Sequence, residues 1–321
     1  MLLEVENLTS HFFLDEGVLR AVDGISFDVN EGETVALVGE SGCGKTIVAL
    51  SLLNLIPSPG RVVGGRIVFN GEDLLQMEAE RLREIRGGGI GMIFQEPGAA
   101  LNPVFTIGSQ ISEVLRLHRG LNRREAEAEA IRLLGETGIP EPEKRIKAYP
   151  FEFSGGMRQR AVIAIAISGR PRLLIADEPT TALDTTVQAE IVDLLRYLQA
   201  QHKMAILLIT HDMGVVAEMA ERVMVMYTGK IVEVAGVCEL FREPKHPYTS
   251  GLLNSIPRLG AGRKEPLRGI PGAVPDFLDL PSGCTFHPRC PIGDESCISE
   301  FPSLRSISPE RKCACYKVEA G

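Results

Sequence analysis

Gly39-Glu-Ser-Gly-Cys-Gly-Lys-Thr46 lies between a continuous apolar run, Thr34–Val38, and a segment with helical character at residues 47–55. This is the strand–loop–helix setting in which the pattern G-x-x-x-x-G-K-T binds phosphate groups. Glycines let backbone N–H groups approach a phosphate closely, and the helix that follows adds the positive end of its dipole. Lys45 is placed to reach the β and γ phosphates, and the hydroxyl of Thr46 is placed to bind Mg²⁺. The sequence therefore predicts a nucleotide-binding loop lined by Gly39, Ser41, Gly42, Cys43, Gly44, Lys45 and Thr46.

Further apolar runs predict the sheet that carries this loop. They lie at residues 173–176, 205–209 and 223–226, while residues 25–29 alternate between apolar and polar. Strands that are apolar on both faces are typical of a parallel sheet covered by helices on each side. The segments between the last three runs have the length and helical period that crossover connections need. We therefore predict an α/β fold with a mostly parallel sheet core and an antiparallel β part.

Two parts of the chain depart from this alternation. Residues 96–168 carry helix-like patterns and predict a helical subdomain inserted into the sheet domain. One of these patterns has Asn122 as a helix cap with Glu125 three positions on. The apolar residues that follow it are predicted to share one helix face: Ala126, Ala130, Ile131 and Leu134. Towards the C-terminus the chain becomes rich in proline, and a segment with so many turns has too little core to fold unaided. We predict a nucleotide-binding domain at 1–240 and a small Cys- and Pro-rich C-terminal module at 241–321.

Two carboxylates, Asp177 and Glu178, follow the apolar run at 173–176. A carboxylate at the end of a buried strand suits Mg²⁺, bound directly or through water, which is the role predicted for Asp177. Glu178 suits a general base that orients and polarises an attacking water. A lone Asp-Glu pair is usually a solvated strand end, but this pair occurs in a chain that already has a phosphate loop.

Composition limits the classes of partner. Asp and Glu outnumber Lys and Arg by 42 to 34, and the formal net charge is −8. An acidic surface repels a polyphosphate backbone, so nucleic acid is not an expected partner. No run approaches the roughly 18 apolar residues that span a bilayer, and no signal peptide is evident. We expect a cytosolic chain that reaches the membrane only through a partner.

The segment Phe153-Ser-Gly-Gly-Met157 resembles the L-S-G-G-Q signature of ATP-binding-cassette (ABC) ATPases, from which Phe153 and Met157 depart. Independently, Ser154, Gly155 and Gly156 before a helical segment predict an anion-binding helix N-terminus. The resemblance implies an ABC-type P-loop nucleotidase. It also implies roles for four further positions: Gln95 as a sensor of Mg²⁺ and of the attacking water, Asp184 in the D-loop, His211 as the γ-phosphate contact, and Phe12 stacked on adenine, with Phe13 as the alternative.

The same resemblance implies how such a chain works. Two cassettes face each other, so that the phosphate loop of one meets the signature of the other. ATP with Mg²⁺ is hydrolysed in that dimer, and closure of the dimer drives transport. Because Lys45, Asp177, Glu178 and His211 are all present, a cassette that binds nucleotide without hydrolysing it is disfavoured.

The tail extends the resemblance over almost the whole chain. Lys245-His-Pro-Tyr-Thr249 and Gly283-Cys-Thr-Phe-His-Pro-Arg-Cys-Pro291 are similar to the tail of ATPase subunits of dipeptide and oligopeptide importers. This implies two transmembrane permease subunits, a second ABC ATPase subunit (a heterodimer favoured over a homodimer), and an extracellular peptide-binding protein acting indirectly, with the chain peripheral on the cytoplasmic face of the membrane. An importer of nickel or another small solute, and a non-transport ABC ATPase acting on nucleic acid or ribosomes, are the alternatives.

Five of the seven cysteines lie near the C-terminus. In a reducing cytosol such crowding favours metal binding over disulfides. Four thiolates suit either an iron–sulfur cluster or zinc, and the wide spacing of the first three favours the cluster. Some members of the similar family carry a 4Fe–4S cluster here, and the resemblance places its ligands at Cys284, Cys290, Cys297 and Cys315. Whether Cys313 or Cys315 is the fourth ligand stays open.

Overall fold

A computed structural model describes residues 1–256 and 269–318 of the chain. Its strands, in chain order, are β1 (Leu3–Leu14), β2 (Gly17–Val29), β3 (Thr34–Val38), β4 (Gly60–Phe69), β5 (Glu72–Asp73), β6 (Ile90–Ile93), β7 (Leu173–Asp177), β8 (Ala205–Thr210), β9 (Arg222–Tyr227), β10 (Lys230–Gly236), β11 (Arg305–Ser308) and β12 (Arg311–Cys313). Its α-helices are α1 (Lys45–Leu52), α2 (Ala79–Gly88), α3 (Pro97–Ala100), α4 (Ile107–Arg119), α5 (Arg123–Glu136), α6 (Pro142–Arg145), α7 (Gly155–Ser168), α8 (Thr185–His202), α9 (Met213–Met219), α10 (Val237–Arg242), α11 (Pro247–Asn254) and α12 (Ser296–Ser299). Short 3-10 turns lie at Pro150–Glu152 and His287–Arg289.

The chain forms two compact units, and neither is one continuous segment. The first unit comprises residues 1–2, 29–33 and 76–208. The second comprises residues 3–28, 34–75 and the described part of 209–321. The predicted division between residues 240 and 241 stays a prediction, and part of the proposed 241–321 module lies outside the described residues.

The second unit contains an antiparallel sheet in the order β2-β1-β4-β5. Beside it, β3 pairs in parallel with β9, and all five residues of β3 are buried. Strand β9 then pairs antiparallel with β10, β10 with β12, and β12 with β11. The C-terminal residues thus extend the strand order that begins at β3, the strand before the phosphate loop.

The first unit contains the parallel pair β6 and β7 and most of the helices. All five residues of β7 are buried, as expected for a strand covered on both faces. Helix α5 begins with a capping box: Asn122 accepts from the backbone N–H of Glu125, and the Glu125 side chain accepts from the N–H of Asn122. Helix α7 buries most of its length, including Val162, Ile163 and Ile167.

The elements expected from sequence are confirmed, with two differences. The parallel core, the antiparallel part and the Asn122 cap all occur as predicted. On α5, however, Leu133 is buried where Ile131 was expected, because Ile131 lies at the edge of the helix face that packs. The second difference is the presence of β10, β11 and β12, which were not predicted from the sequence. Within residues 1–256 and 269–318, no helix is both long and apolar enough to cross a bilayer.

Candidate nucleotide-binding site

The loop at residues 39–46 has a backbone that requires glycine at two positions. Gly44 has φ +105°, and a Cβ added there would lie 2.2 Å from the carbonyl oxygen of Ala21. A Cβ at Gly39 would lie 2.3 Å from the carbonyl oxygen of Met226. Both distances are below any real contact, so a side chain would force the backbone of the loop to move. The two glycines therefore set how the loop turns from β3 into α1.

Lys45 is buried and lies across this loop. Its Nζ donates to the carbonyl oxygens of Gly39 at 2.8 Å and Glu40 at 3.0 Å. Cys43, inside the loop, is fully buried, and this burial raises the pKa of its thiol above the ordinary value. The neutral thiol therefore acts as a small packing group. Thr46, the next residue of α1 after Lys45, is half-buried.

The two candidate adenine-stacking residues lie on opposite faces of β1. Ser10 hydrogen-bonds to Ser51 of α1 at 2.8 Å, so the face of β1 that carries Ser10 is the one directed to the helix of the phosphate loop. Phe12 shares that face because side chains alternate along a strand. Phe13 points the other way, and the Arg61 guanidinium lies 4.5 Å from its ring centroid.

His211 follows β8 in the second unit and is exposed. Its neighbour Asp212 fixes the turn: the Asp212 carboxylate accepts from the N–H groups of Gly214 at 2.7 Å and Val215 at 3.3 Å, capping α9. The Asp212 N–H donates to Thr210 Oγ1 at 3.0 Å. The histidine therefore stands on a turn that is held on both sides.

In the first unit, Asp177 is the last residue of β7 and Glu178 follows it, with 1% and 9% of their surfaces exposed. Gln95 Nε2 donates to Glu178 Oε2 at 3.1 Å, so the structure brings these two predicted residues together. Thr181 Oγ1 donates to the same oxygen at 2.8 Å, a role that sequence reasoning missed. Glu178 also has φ +48°, a conformation that costs a non-glycine residue roughly 1–3 kcal/mol and that clusters at functional sites.

The signature segment forms the exposed N-terminus of α7. Ser154 caps this helix, its Oγ accepting from the N–H of Met157 at 3.3 Å. Gly155 is exposed and Gly156 is half-buried. Phe153, which departs from the signature, is only 3% exposed and therefore serves as a core residue. Asp184 caps α8 in the same way, accepting from the N–H of Val187 at 3.0 Å.

Four of the five C-terminal cysteines, all in the second unit, line one narrow cavity. They are Cys284, Cys290, Cys297 and Cys315. Cys313 is absent from that lining; it is fully buried in β12 opposite Glu233 of β10. Burial raises the pKa of Cys284 to about 11, so this thiol is neutral at pH 7. Among the described residues, no three His, Cys, Asp or Glu side chains stand close enough to hold a single metal ion.

The start of the phosphate loop is anchored by residues that sequence reasoning missed. The Glu40 carboxylate accepts two hydrogen bonds from Arg289, at 2.7 and 2.9 Å, and the Glu40 N–H donates to Tyr248 Oη at 2.8 Å. Arg289 and Tyr248 both belong to the C-terminal part of the second unit. Neither the residue types nor their spacing indicates the contact between Glu40 and Arg289, which are 249 residues apart in the sequence.

Two family models match the chain. One, described as ABC transporter, matches residues 22–181; the other, described as the C-terminal region of oligopeptide/dipeptide transporters, matches residues 232–297. The dipeptide transport ATP-binding protein DppD of Escherichia coli is 46% identical over 98% of this chain and 96% of its own length. The oligopeptide transport ATP-binding protein AppD of Bacillus subtilis is 49% identical over 99% and 97%. A putative peptide import ATP-binding protein of Brucella abortus is 49% identical over 98% and 97%.

Solved structures agree with this assignment. A dimeric ATP-binding cassette in a post-hydrolysis state with ADP and Pi superimposes with a TM-score of 0.66, at 25% identity, over 74% of this chain and 99% of its own. The structure of cbiO1 of Clostridium perfringens, part of the ABC transporter complex cbiONQ, gives a TM-score of 0.64 at 27% identity, over 75% of this chain and 91% of its own. The predicted family is thereby confirmed: the chain belongs to the ABC transporter ATPases, enzymes that bind and hydrolyse ATP, and within them to those that carry the oligopeptide/dipeptide transporter C-terminal region.

Proposed function

We propose that this chain energises the import of dipeptides or oligopeptides across the cytoplasmic membrane by hydrolysing ATP. The observation that carries the chemistry is the Glu178 carboxylate, held by Gln95 and Thr181 at the end of a buried strand. A base fixed by two donors can orient and deprotonate an attacking water. The peptide-import assignment draws its support from the names of relatives that align over nearly their whole length.

The predicted site residues take the following roles in this proposal. Lys45 and the amides of the loop 39–46 bind the β and γ phosphates, while Thr46, Gln95 and Asp177 serve Mg²⁺. His211 contacts the γ-phosphate. Phe12 stacks on adenine, because it shares the face of β1 that contacts α1, whereas Phe13 faces away.

Hydrolysis in this proposal needs two cassettes. Ser154, Gly155 and Gly156 form an exposed helix N-terminus that suits the γ-phosphate held by the other cassette, and Asp184 belongs to the same interface. The similar cassette solved as a dimer with ADP and Pi supports this arrangement. We favour a sister ATPase as the partner, with a second copy of this chain as the alternative. Co-expression of both candidates and native mass spectrometry of the trapped dimer distinguish the two.

The permease docking surface is proposed to lie on the first unit, which keeps the chain peripheral to the membrane. An open groove of about 910 Å³ is lined by charged side chains such as Glu113 and Lys147 and by apolar ones, among them Phe105. Phe105 is 55% exposed, and Phe151, elsewhere in the first unit, is 69% exposed. Apolar side chains beside charged ones suit a short amphipathic helix of a permease.

We further propose that Cys284, Cys290, Cys297 and Cys315 bind a 4Fe–4S cluster, with a structural or sensing role. The four thiols line one cavity, and Cys313 does not. A single zinc ion would hold thiolates about 3.8 Å apart, from a Zn–S bond of about 2.3 Å in tetrahedral geometry. In a cluster each thiolate binds a different iron, so the sulfurs stand farther apart.

The cluster proposal is tested by anaerobic purification with iron, acid-labile sulfide and zinc analysis. Cys315→Ser should lose iron and sulfide, whereas the matched variant Cys313→Ser should keep both. Stoichiometric zinc without sulfide would contradict the cluster. Loss of iron from Cys313→Ser but not from Cys315→Ser would contradict the ligand set.

The transport function is tested by reconstitution. The chain is co-expressed with candidate permeases, the sister ATPase and the extracellular binding protein, and ATP-dependent uptake of labelled di- and oligopeptides into vesicles is measured. We expect uptake that requires Glu178 and copurification of both permeases. Uptake of nickel in place of peptides would refute the substrate class, and ATPase stimulation by ribosomes or DNA would refute transport itself.

A further inference from the structure

Glu40, the second residue of the phosphate loop, is fixed through all three of its polar groups. Its N–H donates to Tyr248 Oη at 2.8 Å, and its carbonyl oxygen accepts from Lys45 Nζ at 3.0 Å. Its carboxylate accepts from Arg289 Nη1 and Nη2 at 2.7 and 2.9 Å, the paired geometry that makes guanidinium–carboxylate contacts strong and directional. No turn chemistry inside the loop requires such an anchor.

The two outside anchors are themselves held rigidly. The Arg289 side chain is 4% exposed, its Nε donates to the carbonyl oxygen of Pro271 at 2.9 Å, and its Nη1 also approaches Tyr227 Oη at 3.4 Å. The ring of Tyr248 is fully buried and lies 4.6 Å from that of Tyr227 and 5.3 Å from that of Phe286, centroid to centroid. Because the Arg289 guanidinium is almost fully buried, water cannot replace Glu40 as its hydrogen-bond acceptor. The position of Glu40 is therefore set by the C-terminal part of the chain.

The negative charge of Glu40 links its contact with Arg289 to nucleotide binding. A carboxylate in a loop that receives a triphosphate repels the ligand unless a cation neutralises it. The Lys45 ammonium contacts the carbonyl of Glu40, and its predicted task is to bind phosphate. Arg289 is thus the cation that compensates the carboxylate.

We propose that Arg289 is a positioning residue of the phosphate loop: it neutralises the Glu40 carboxylate at the first turn of the loop, and so raises the affinity for Mg-nucleotide. It acts through Glu40 and has no contact with the reacting atoms. The inference rests on the proposed role of residues 39–46 as the phosphate-binding loop. Because Arg289 adjoins Cys290, one of the proposed cluster ligands, the C-terminal part of the chain takes part in setting nucleotide affinity.

The test is a double-mutant cycle read as the Kd for a fluorescent ATP analogue with Mg²⁺, measured on folded protein well below its melting temperature. Arg289→Gln leaves the Glu40 carboxylate uncompensated, and Kd should rise about tenfold, which is about 1.4 kcal/mol. Glu40→Gln removes that charge, and Kd should change less than about threefold. In the Glu40→Gln background, Arg289→Gln should add less than about twofold, because the charge that it compensates is gone. Arg289→Lys should fall between wild type and Arg289→Gln.

Arg311 offers a matched control. Its side chain is 7% exposed and donates to the Glu233 carboxylate at 3.0 Å and to the carbonyl oxygen of Glu243. It thus also ties the C-terminal part to the sheet, but both of these acceptors lie outside the loop. Arg311→Gln should lower the melting temperature and leave Kd within about twofold. An equal loss of affinity in Arg289→Gln and Arg311→Gln, or a tenfold effect that persists in the Glu40→Gln background, would overturn the inference.

The variant Lys45→Ala tests separately whether residues 39–46 bind phosphate, which the proposed role of Arg289 assumes. If Lys45→Ala keeps its nucleotide affinity, the assignment of the loop fails. If Lys45→Ala loses affinity while Arg289→Gln keeps it, only the role of Arg289 fails. Should Arg289→Gln not fold, Arg289→Lys with and without Glu40→Gln completes the same cycle, and an identical Kd in all four proteins would refute the role.

Discussion

Replacing Glu178 with glutamine separates nucleotide binding from hydrolysis, because the two oxygens of the carboxylate have different surroundings. Gln95 Nε2 and Thr181 Oγ1 both donate to Oε2, at 3.1 and 2.8 Å. In the glutamine variant the amide oxygen can take the Oε2 position and keep both hydrogen bonds. The amide nitrogen takes the other position, and because its lone pair is delocalised into the carbonyl group it cannot accept a proton from water. Loss of a general base costs roughly 10²–10⁴ in rate, or about 3–5 kcal/mol of barrier.

We therefore expect the turnover of Glu178→Gln to fall at least about 100-fold, while Kd for Mg-ATP changes less than about threefold. Phosphate release gives the rate, and size-exclusion chromatography with ATP should show an accumulated dimer. Thr181→Ala removes one hydrogen bond but keeps the base, and should lose roughly tenfold. The exposed Glu190→Gln is the surface control and should match wild type within about twofold. Turnover of Glu178→Gln within about threefold of wild type would remove Glu178 from the mechanism.

Three further outcomes follow from the contacts. His211→Ala should lower turnover about 100-fold and leave Kd for Mg-ATP within about threefold, as measured by phosphate release and titration; an unchanged rate would contradict the γ-phosphate role. Glu233→Ala removes the acceptor of the buried Arg311 and of two backbone N–H groups. We expect the free energy of unfolding in urea to fall by about 4 kcal/mol, against less than about 0.5 kcal/mol for Glu239→Ala, which changes an exposed residue. Hydrogen bonds from Arg132 lower the pKa of Glu129 from 4.5 to about 2, so its stabilisation exists above pH 4.5 and is lost as the pH falls towards 2. Glu129→Gln should therefore cost about 2 kcal/mol at pH 7, after allowance for the exposed arginine, and a cost independent of pH would refute the ion pair.

The sequence predicted those parts of the fold whose apolar or capping pattern lies entirely within one short segment. Strands β3, β7 and β8 are buried on both faces, so their apolar runs could be recognised without their neighbours. The cap of α5 depends on two residues three positions apart, Asn122 and Glu125. The placement of Ile131 and Leu133 was harder, because neighbouring helices decide how far round a helix the buried stripe extends.

In the candidate site too, local sequence patterns could be predicted, whereas individual side-chain contacts could not. Glycine requirements in the loop follow from a local pattern, and the structure gives their cause in the carbonyl groups of Ala21 and Met226. The contacts of Thr181 and Arg289 carried no such signal. Thr181 is three residues from Glu178 but resembles any threonine in a turn, and Arg289 resembles any arginine beside a cysteine. Their roles depend on which atoms the fold places opposite them.

The C-terminal part of the chain packs within the second unit through contacts that its composition alone does not indicate. Its many prolines predict a segment that needs a metal or a disulfide to fold. In the second unit, however, this segment packs against strands β9 and β10 of the ATPase. Strand β12 pairs with β10, and the rings of Tyr248 and Phe286 pack with Tyr227 at the end of β9. The fully buried carboxylate of Glu233 accepts from two backbone N–H groups ahead of α11 as well as from Arg311. These contacts attach the segment to β9 and β10 without involving the four cysteines that are proposed as cluster ligands.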